Sequence, residues 1–219
     1  MTYYVNKADD EVIKPPLPVS IVIPAFNEEA FIAKTLTSLQ SQNVVLAHPE
    51  MFEVIVADNE STDRTIDVAR EYTRHVISAP KGKLNARHAG IMYAHNSIIA
   101  SADADVTYPV NYFNLMLQHY YKKGVVGVYG PFVNIHGDQP MISLSAMIGI
   151  SGYLQPPLGR FWASNSSFFR QAYINCGGLN LDVDQSNRWM LNREEEVKFY
   201  HRLKTQGRII YDVRLGVMH

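Results

Sequence analysis

An excess of charge of one sign is missing from this chain: Lys and Arg number 20 against 21 Asp and Glu, a formal net charge of −1. That balance gives no general pull toward nucleic acid or acidic lipid, so a nucleic-acid partner is not expected. Cysteine is almost absent. Cys176 stands alone, which excludes an internal disulfide and points to a reducing compartment, the cytoplasm. No uninterrupted apolar run is long enough for a transmembrane helix. The opening stretch MTYYVNKADDEVIKPPLP lacks the apolar core of a signal peptide. Repeats and low-complexity tracts are missing too. What remains is an ordinary globular balance, 47% apolar and 19% charged, in 219 residues, enough for one domain with a sizeable core.

Residues 1–17 read as a disordered or loosely packed leader, and 18–219 as the domain. VSIVIPAF (Val19–Phe26) is a β-branched run closed by Pro24 and reads as a buried strand. Asn27 is placed to cap a following helix, with Phe31, Thr35, Leu36 and Leu39 at helical spacing. FEVIVAD, HVIS and SIIASAD read as further strands, with STDRTIDVAREY and KLNARHAGIMYAH as helices between them. Buried strands alternating with helices predict an α/β fold, a mostly parallel central sheet flanked by helices. Ligands in such sheets bind beyond the carboxyl ends of the strands, where NEE, DNEST and DAD all fall.

In the second half GVVGVYGPFVNI, FWASNSSFF and RIIYDV read as strands, and REEEVKFYHRLKTQG as a helix with a Gly stop. ISLSAMIGISGYL is an apolar helix or surface segment. It lies within residues 139–159, which hold no charge; a flap over an acceptor, a partner contact, a peripheral membrane contact and plain core all suit that stretch. LGVMH follows an apolar strand directly, as expected of a chain that continues past His219.

Asp103-Ala104-Asp105 places two carboxylates around one bend. They repel unless a cation lies between them, and hard Mg²⁺ or Mn²⁺ commonly joins carboxylates to substrate phosphates. A solvated turn leading into a helix is the alternative. Lys81, Lys83, Arg87 and His88 precede the strand feeding Asp103, either a diphosphate clamp at a helix start or a solvated basic face. Glu196, Phe199, Tyr200 and Leu203 share one helical stripe, and an acid heading a buried stripe is costly without a partner or a task. Glu194 and Lys198 form an i, i+4 pair suited to solvent. The bland alternative is three glutamates that merely favour a helix N-terminus.

VSIVIPAFNEE, FEVIVADNESTDRT, GKLNARHAGI, ADAD and SNSSFFRQAYINCGGLN, in this order, resemble family 2 glycosyltransferases of the GT-A fold over almost the whole chain. The resemblance implies a single Rossmann-like domain, 18–106 binding the nucleotide sugar and 107–219 serving acceptor and catalysis. It implies a metal-dependent, inverting transfer from a UDP- or GDP-sugar to an acceptor it does not specify. Pro24, Ala25 and Glu28 would cradle the nucleoside, with Asp58 or Asn59 reading the nucleobase. Lys83 and Arg87 would lie near the diphosphate, Asp103 would face ribose or sugar, and Asp105 with His219 would hold Mn²⁺ or Mg²⁺. NREEEVKFYHRL resembles the family's acidic motif and puts Glu196 where the general base, usually Asp, stands. Trp162, Asn165, Arg170 and Glu195 fall on the acceptor side. The expected location is cytoplasmic, with 139–159 a candidate peripheral contact at the inner face of a membrane, and a polyprenyl-phosphate glycosyltransferase is an alternative reading. A sugar nucleotidyltransferase would need a Gly-rich basic loop after the first strand, which IPAFNEE lacks. A catalytically inactive sugar-nucleotide- or glycan-binding module remains the rival from another class.

Overall fold

The computed structural model describes residues 11–133, 165–181 and 188–218. The strands are β1 (Val19–Ala25), β2 (Phe52–Asp58), β3 (His75–Ser78), β4 (Ile98–Ala102), β5 (Val125–Tyr129), β6 (Phe132–Val133), β7 (Asn165–Phe169), β8 (Arg208–Tyr211) and β9 (Val217–Met218). Seven of them form one sheet in the order β3-β2-β1-β4-β7-β5-β8, and β6 pairs with β9 beside it. All pairings in the large sheet are parallel except those of β7, which runs against both β4 and β5. The helices are α1 (Ile32–Gln40), α2 (Asn43–Ala47), α3 (Thr65–Arg70), α4 (Lys83–Tyr93), α5 (Tyr112–Gln118), α6 (Arg170–Asn175) and α7 (Arg188–Lys204). This is a single α/β domain of the kind the alternating strands and helices predict.

Strand side chains alternate between two cores. Val19, Ile21 and Ile23 of β1 join Ile98 and Ala100 of β4 in one cluster with Leu36, Leu39, Phe113 and Leu117 of α1 and α5. Val22 and Ile99, one step out of phase, join the opposite cluster with Ile91, Phe168, Phe199 and Leu203. Burial on both faces is why these strands read as continuous apolar runs. On the second face α4 lies so close to β1 that a Cβ on Gly90 would stand 2.5 Å from Val22 Cγ1, so only glycine admits this approach.

Two local readings differ from the structure. Asn27 does not cap α1, which starts at Ile32; it adopts a left-handed φ of 55°, and its Oδ1 accepts from Thr62 N at 2.8 Å. Its short polar side chain tolerates that backbone and ties two loops instead. Helix α7 begins by Arg188, ahead of the acidic run taken as its start. In the leader, residues 11–17 are seated on α5: Ile13 N donates to Asn114 Oδ1 (2.9 Å), and Asn114 Nδ2 donates to Glu11 O (2.8 Å). Among the described residues no helix is long and apolar enough to cross a membrane. The segment 139–159 lies outside the described residues.

Candidate active site

The carboxyl ends of β1, β2 and β4 open on one side of the sheet. Ala25 is in register with Asp58, and Ala102 faces Asn165 at the start of β7. Pro24 and Ala25 are buried at the end of β1. The NEE loop beyond it interlocks with DNESTDR: Asn27 N donates to Ser61 Oγ (3.0 Å), Glu28 N to Thr65 Oγ1 (2.7 Å), and Arg64 N to Glu29 Oε2 (2.8 Å). Asp58 accepts from Ser61 N at 3.3 Å, closing its own turn. Asn59 reaches the other way, its Oδ1 accepting from Gly82 N at the head of α4. The two candidates for nucleobase recognition thus brace different loops, and Asn59 sets where the basic helix begins.

From that helix Lys83 Nζ donates to Asp103 Oδ2 at 2.9 Å, and Arg87 Nη2 donates to Oδ1 at 2.5 Å. Burial pushes the Asp103 carboxyl up, but the Lys83 and Arg87 cations outweigh it and hold its pKa below the ordinary value. Lys83 is half-exposed, at 49%, whereas the Arg87 side chain is 2% exposed and faces inward. Arg87 also donates through Nε to Ser101 Oγ (2.9 Å), and its Nη1 lies 3.8 Å from Glu196 Oε1 on α7. The structure therefore brings Lys83, Arg87, Asp103 and Glu196 together. His88 turns away from this group to the Tyr173 hydroxyl, 2.7 Å from its Nδ1.

Helix α1 fixes the DAD turn. Thr35 Oγ1 donates to the carbonyl of Ala104, between the two aspartates, at 2.7 Å. Asp105 is partly exposed. Both Asp103 oxygens are taken by cations, and among the described residues no three His, Cys, Asp or Glu side chains form a metal cluster. Hard cations are often held by one or two carboxylates while substrate phosphates complete the shell. Asp105 fits that kind of substrate-completed site. His219 and Trp162 lie outside the described residues.

Three acceptor-side expectations are placed differently. Asn165 is fully buried, its Nδ2 donating to Pro131 O and Leu215 O at 2.8 Å each while its Oδ1 accepts from Tyr112 OH at 2.6 Å. It is a strut joining α5 to two loops, with both N–H donors used and no surface exposed to an acceptor. Arg170 lies beyond the far end of β7, where its guanidinium donates to the carbonyls of Ile91 and Met92 that end α4. Antiparallel β7 carries it away from the strand ends that gather the other residues. Glu195, 2% exposed, accepts from Arg202 Nη2 and, at 2.7 Å, from Asn180 N. It anchors the GGLN turn to α7, so the fully buried acid of the pair is Glu195 and Glu196 is left partly open.

Thr35 and Ser101 were missed as site supports. Their signal was present, a polar residue inside an otherwise apolar stripe or strand. Away from these residues Asp212, directly after β8, has His119 Nε2 at 2.8 Å and Arg214 Nη2 at 2.6 Å. Its pKa falls far below the carboxylate range, since hydrogen bonds from His119 and Arg214 outweigh the upward push of burial.

These features are shared with known proteins. A match to the model of Glycosyl transferase family 2 extends over residues 20–197. The chain belongs to glycosyl transferase family 2. Curated relatives include the probable glycosyltransferase YdaM of Bacillus subtilis, 35% identical over 122 residues, 49% of this chain and 28% of that protein. Validoxylamine A glucosyltransferase of Streptomyces hygroscopicus is 36% identical over 95 residues, 40% of this chain and 20% of the relative. The chain thus spans less than a third of the length of either. Among solved structures, mannosyltransferase PcManGT from Pyrobaculum calidifontis, in complex with GDP-Man and Mn²⁺, superposes with a TM-score of 0.71 at 18% identity, covering 95% of this chain and 59% of that one. TarS 1–349 of S. aureus, in complex with UDP-GlcNAc, gives 0.65 at 16% identity, covering 92% and 58%. At such identities the likeness establishes the GT-A fold.

Two family 2 predictions arise from the struts. Asn165→Ala strands two carbonyls and a hydroxyl in the core, an expected loss of about 2–4 kcal/mol at 1–3 kcal/mol per orphaned group with partial relaxation, read by urea denaturation. Asp212, depressed in the folded state, stabilises fully above its unfolded pKa of about 3.9 and loses that contribution as pH falls through the folded value. Wild type should exceed Asp212→Asn by about 1–2 kcal/mol at pH 7, a gap that shrinks below about pH 4.

Proposed function

We propose that this chain is the catalytic domain of a metal-dependent, inverting glycosyltransferase that moves a sugar from a nucleoside-diphosphate sugar to an acceptor hydroxyl. The observation that carries the reading is the meeting of Asp103 and Glu196 on one guanidinium, at the carboxyl end of the sheet. Donors with GDP and UDP are the ones to try first, since two structural neighbours form complexes with GDP-Man and UDP-GlcNAc.

In this reading the NEE and DNEST loops hold the nucleoside. Lys83, half-exposed and bonded to Asp103, pairs with the diphosphate. Asp103, held in place by its two cations, faces the sugar or ribose. Asp105, with His219, would hold Mn²⁺ or Mg²⁺, which when bound supplies positive charge against the leaving diphosphate. Glu196 accepts the proton of the acceptor hydroxyl. The acceptor oxygen bonds to the anomeric carbon as the bond from that carbon to phosphate breaks. The electron pair leaves with the nucleoside diphosphate, and one displacement from the opposite face inverts the centre.

Mass-spectrometric detection of released nucleoside diphosphate from a panel of GDP- and UDP-sugars with Mn²⁺ tests this. Asp105→Ala should lower release by about tenfold or more, because a metal supplies several kcal/mol of charge stabilisation. Nucleotide-sugar binding with neither transfer nor hydrolysis under any divalent metal would sink the enzyme reading in favour of a binding module.

A further inference from the structure

Arg87 is a cation in the middle of the fold, with its side chain 2% exposed, and its three nitrogens point to three partners. Nε is spent on Ser101 of β4 and Nη2 on Asp103. Nη1 is buried and makes no hydrogen bond among the described residues. It faces Glu196 Oε1 at 3.8 Å, about 0.6 Å beyond hydrogen-bond range. A spare buried N–H is normally costly, so its direction carries information.

Charge points the same way. Lys83 and Arg87 together bring two positive charges to the single negative charge of Asp103. One positive charge is left over, and because Asp103 is shared with half-exposed Lys83, the buried guanidinium is only partly offset by it. Glu195, the neighbouring acid on α7, is already taken by Arg202. Glu196 is the acid that balances the cluster.

We infer, building on the reading of Glu196 as general base, that Arg87 is a positioning residue: it anchors Glu196 of α7 to Asp103 of the donor side. The resemblance placed Arg87 beside the diphosphate, but its burial leaves that task to Lys83. A small inward shift of α7 completes the fork, with Nη2 on Asp103 and Nη1 on Glu196. One planar guanidinium then sets the spacing between the acid facing the donor and the base facing the acceptor. Lysine, a point charge on a flexible stem, keeps the charge without the fork.

The test follows the Glu196 carboxyl carbon by ¹³C NMR in carboxyl-labelled protein, its resonance identified by loss in Glu196→Gln. An opposite charge within about 4–6 Å lowers a carboxyl pKa by 1–3. Arg87→Met should therefore raise the ionisation midpoint of Glu196 by about one pH unit or more, and Arg87→Lys should recover at least half of that rise. If Arg87→Met does not fold, Arg87→Gln carries the same expectation, because it keeps a donor for Asp103. An unmoved midpoint in the folded neutral variant would overturn the anchoring role, which a merely structural arginine would also leave unmoved. The titration needs no turnover, so failure of the enzyme reading would appear in the nucleotide-sugar panel and not here.

Discussion

Glu196→Gln is expected to lower turnover of the preferred nucleotide sugar by about 10²- to 10⁴-fold, the usual contribution of a positioned general base. The substitution keeps the shape of the side chain and removes its ability to take the acceptor proton. Stability should fall by about 1–2 kcal/mol, less than for a fully buried pair, because Glu196 is partly open and Arg87 keeps Asp103 and Ser101. Glu195→Gln is the contrasting control. It weakens the buried contact with Arg202 and the tie to Asn180 N, so its loss should appear in denaturation as well as in rate. Steady-state kinetics with Mn²⁺ and the donor found by the panel checks both. A Glu196→Gln loss smaller than about tenfold would mean an acceptor that is already ionised, such as a phosphate.

Asp103→Ala is expected to cost about 3–5 kcal/mol of folding stability, the range found when one partner of a buried pair is removed. Asp103 is buried, and both of its oxygens are bound to cations. Its loss leaves the Arg87 guanidinium inside the protein with Glu196 alone to balance it, while half-exposed Lys83 turns to water. Asp103→Asn should fall between wild type and Ala, since a carboxamide oxygen still accepts from Nη2 but the charge stays uncompensated. Urea denaturation at neutral pH measures the difference. An Asp103→Ala protein within about 1 kcal/mol of wild type would show that the cluster is hydrated rather than closed.

Much of this site is legible along the chain because its acids sit where strands end. The apolar runs at Ile21, Ile55 and Ile99 mark buried strands, and the polar residues after them have nowhere to lie but the carboxyl edge. The pair Glu194–Lys198 also reads correctly, 3.8 Å apart and exposed on α7, because i, i+4 geometry is local. Asn27 misleads for an equally local reason. Asn suits a helix cap and a left-handed turn alike, and the hydrogen bond to Thr62, 35 residues away, decides between them.

By itself, the sequence determines the order of strands and helices, the two-faced burial of the sheet, and the arrival of Asp58, Asp103 and the basic helix at one edge. These follow from side-chain periodicity and chain connectivity, which act over a few residues at a time. Only the tertiary structure decides which polar groups face one another. The rotation of α7 assigns Glu195 to Arg202 and Glu196 to Arg87, although the two acids are adjacent. The antiparallel entry of β7 brings Asn165 to the site as a strut and carries Arg170 out of it. Arg87 reads as part of a diphosphate clamp or of a solvated basic face and is instead buried, because Ser101, Asp103 and Glu196 arrive from two other elements to meet its nitrogens. Burial of a long charged side chain depends on partners distant in sequence, and no periodicity encodes them.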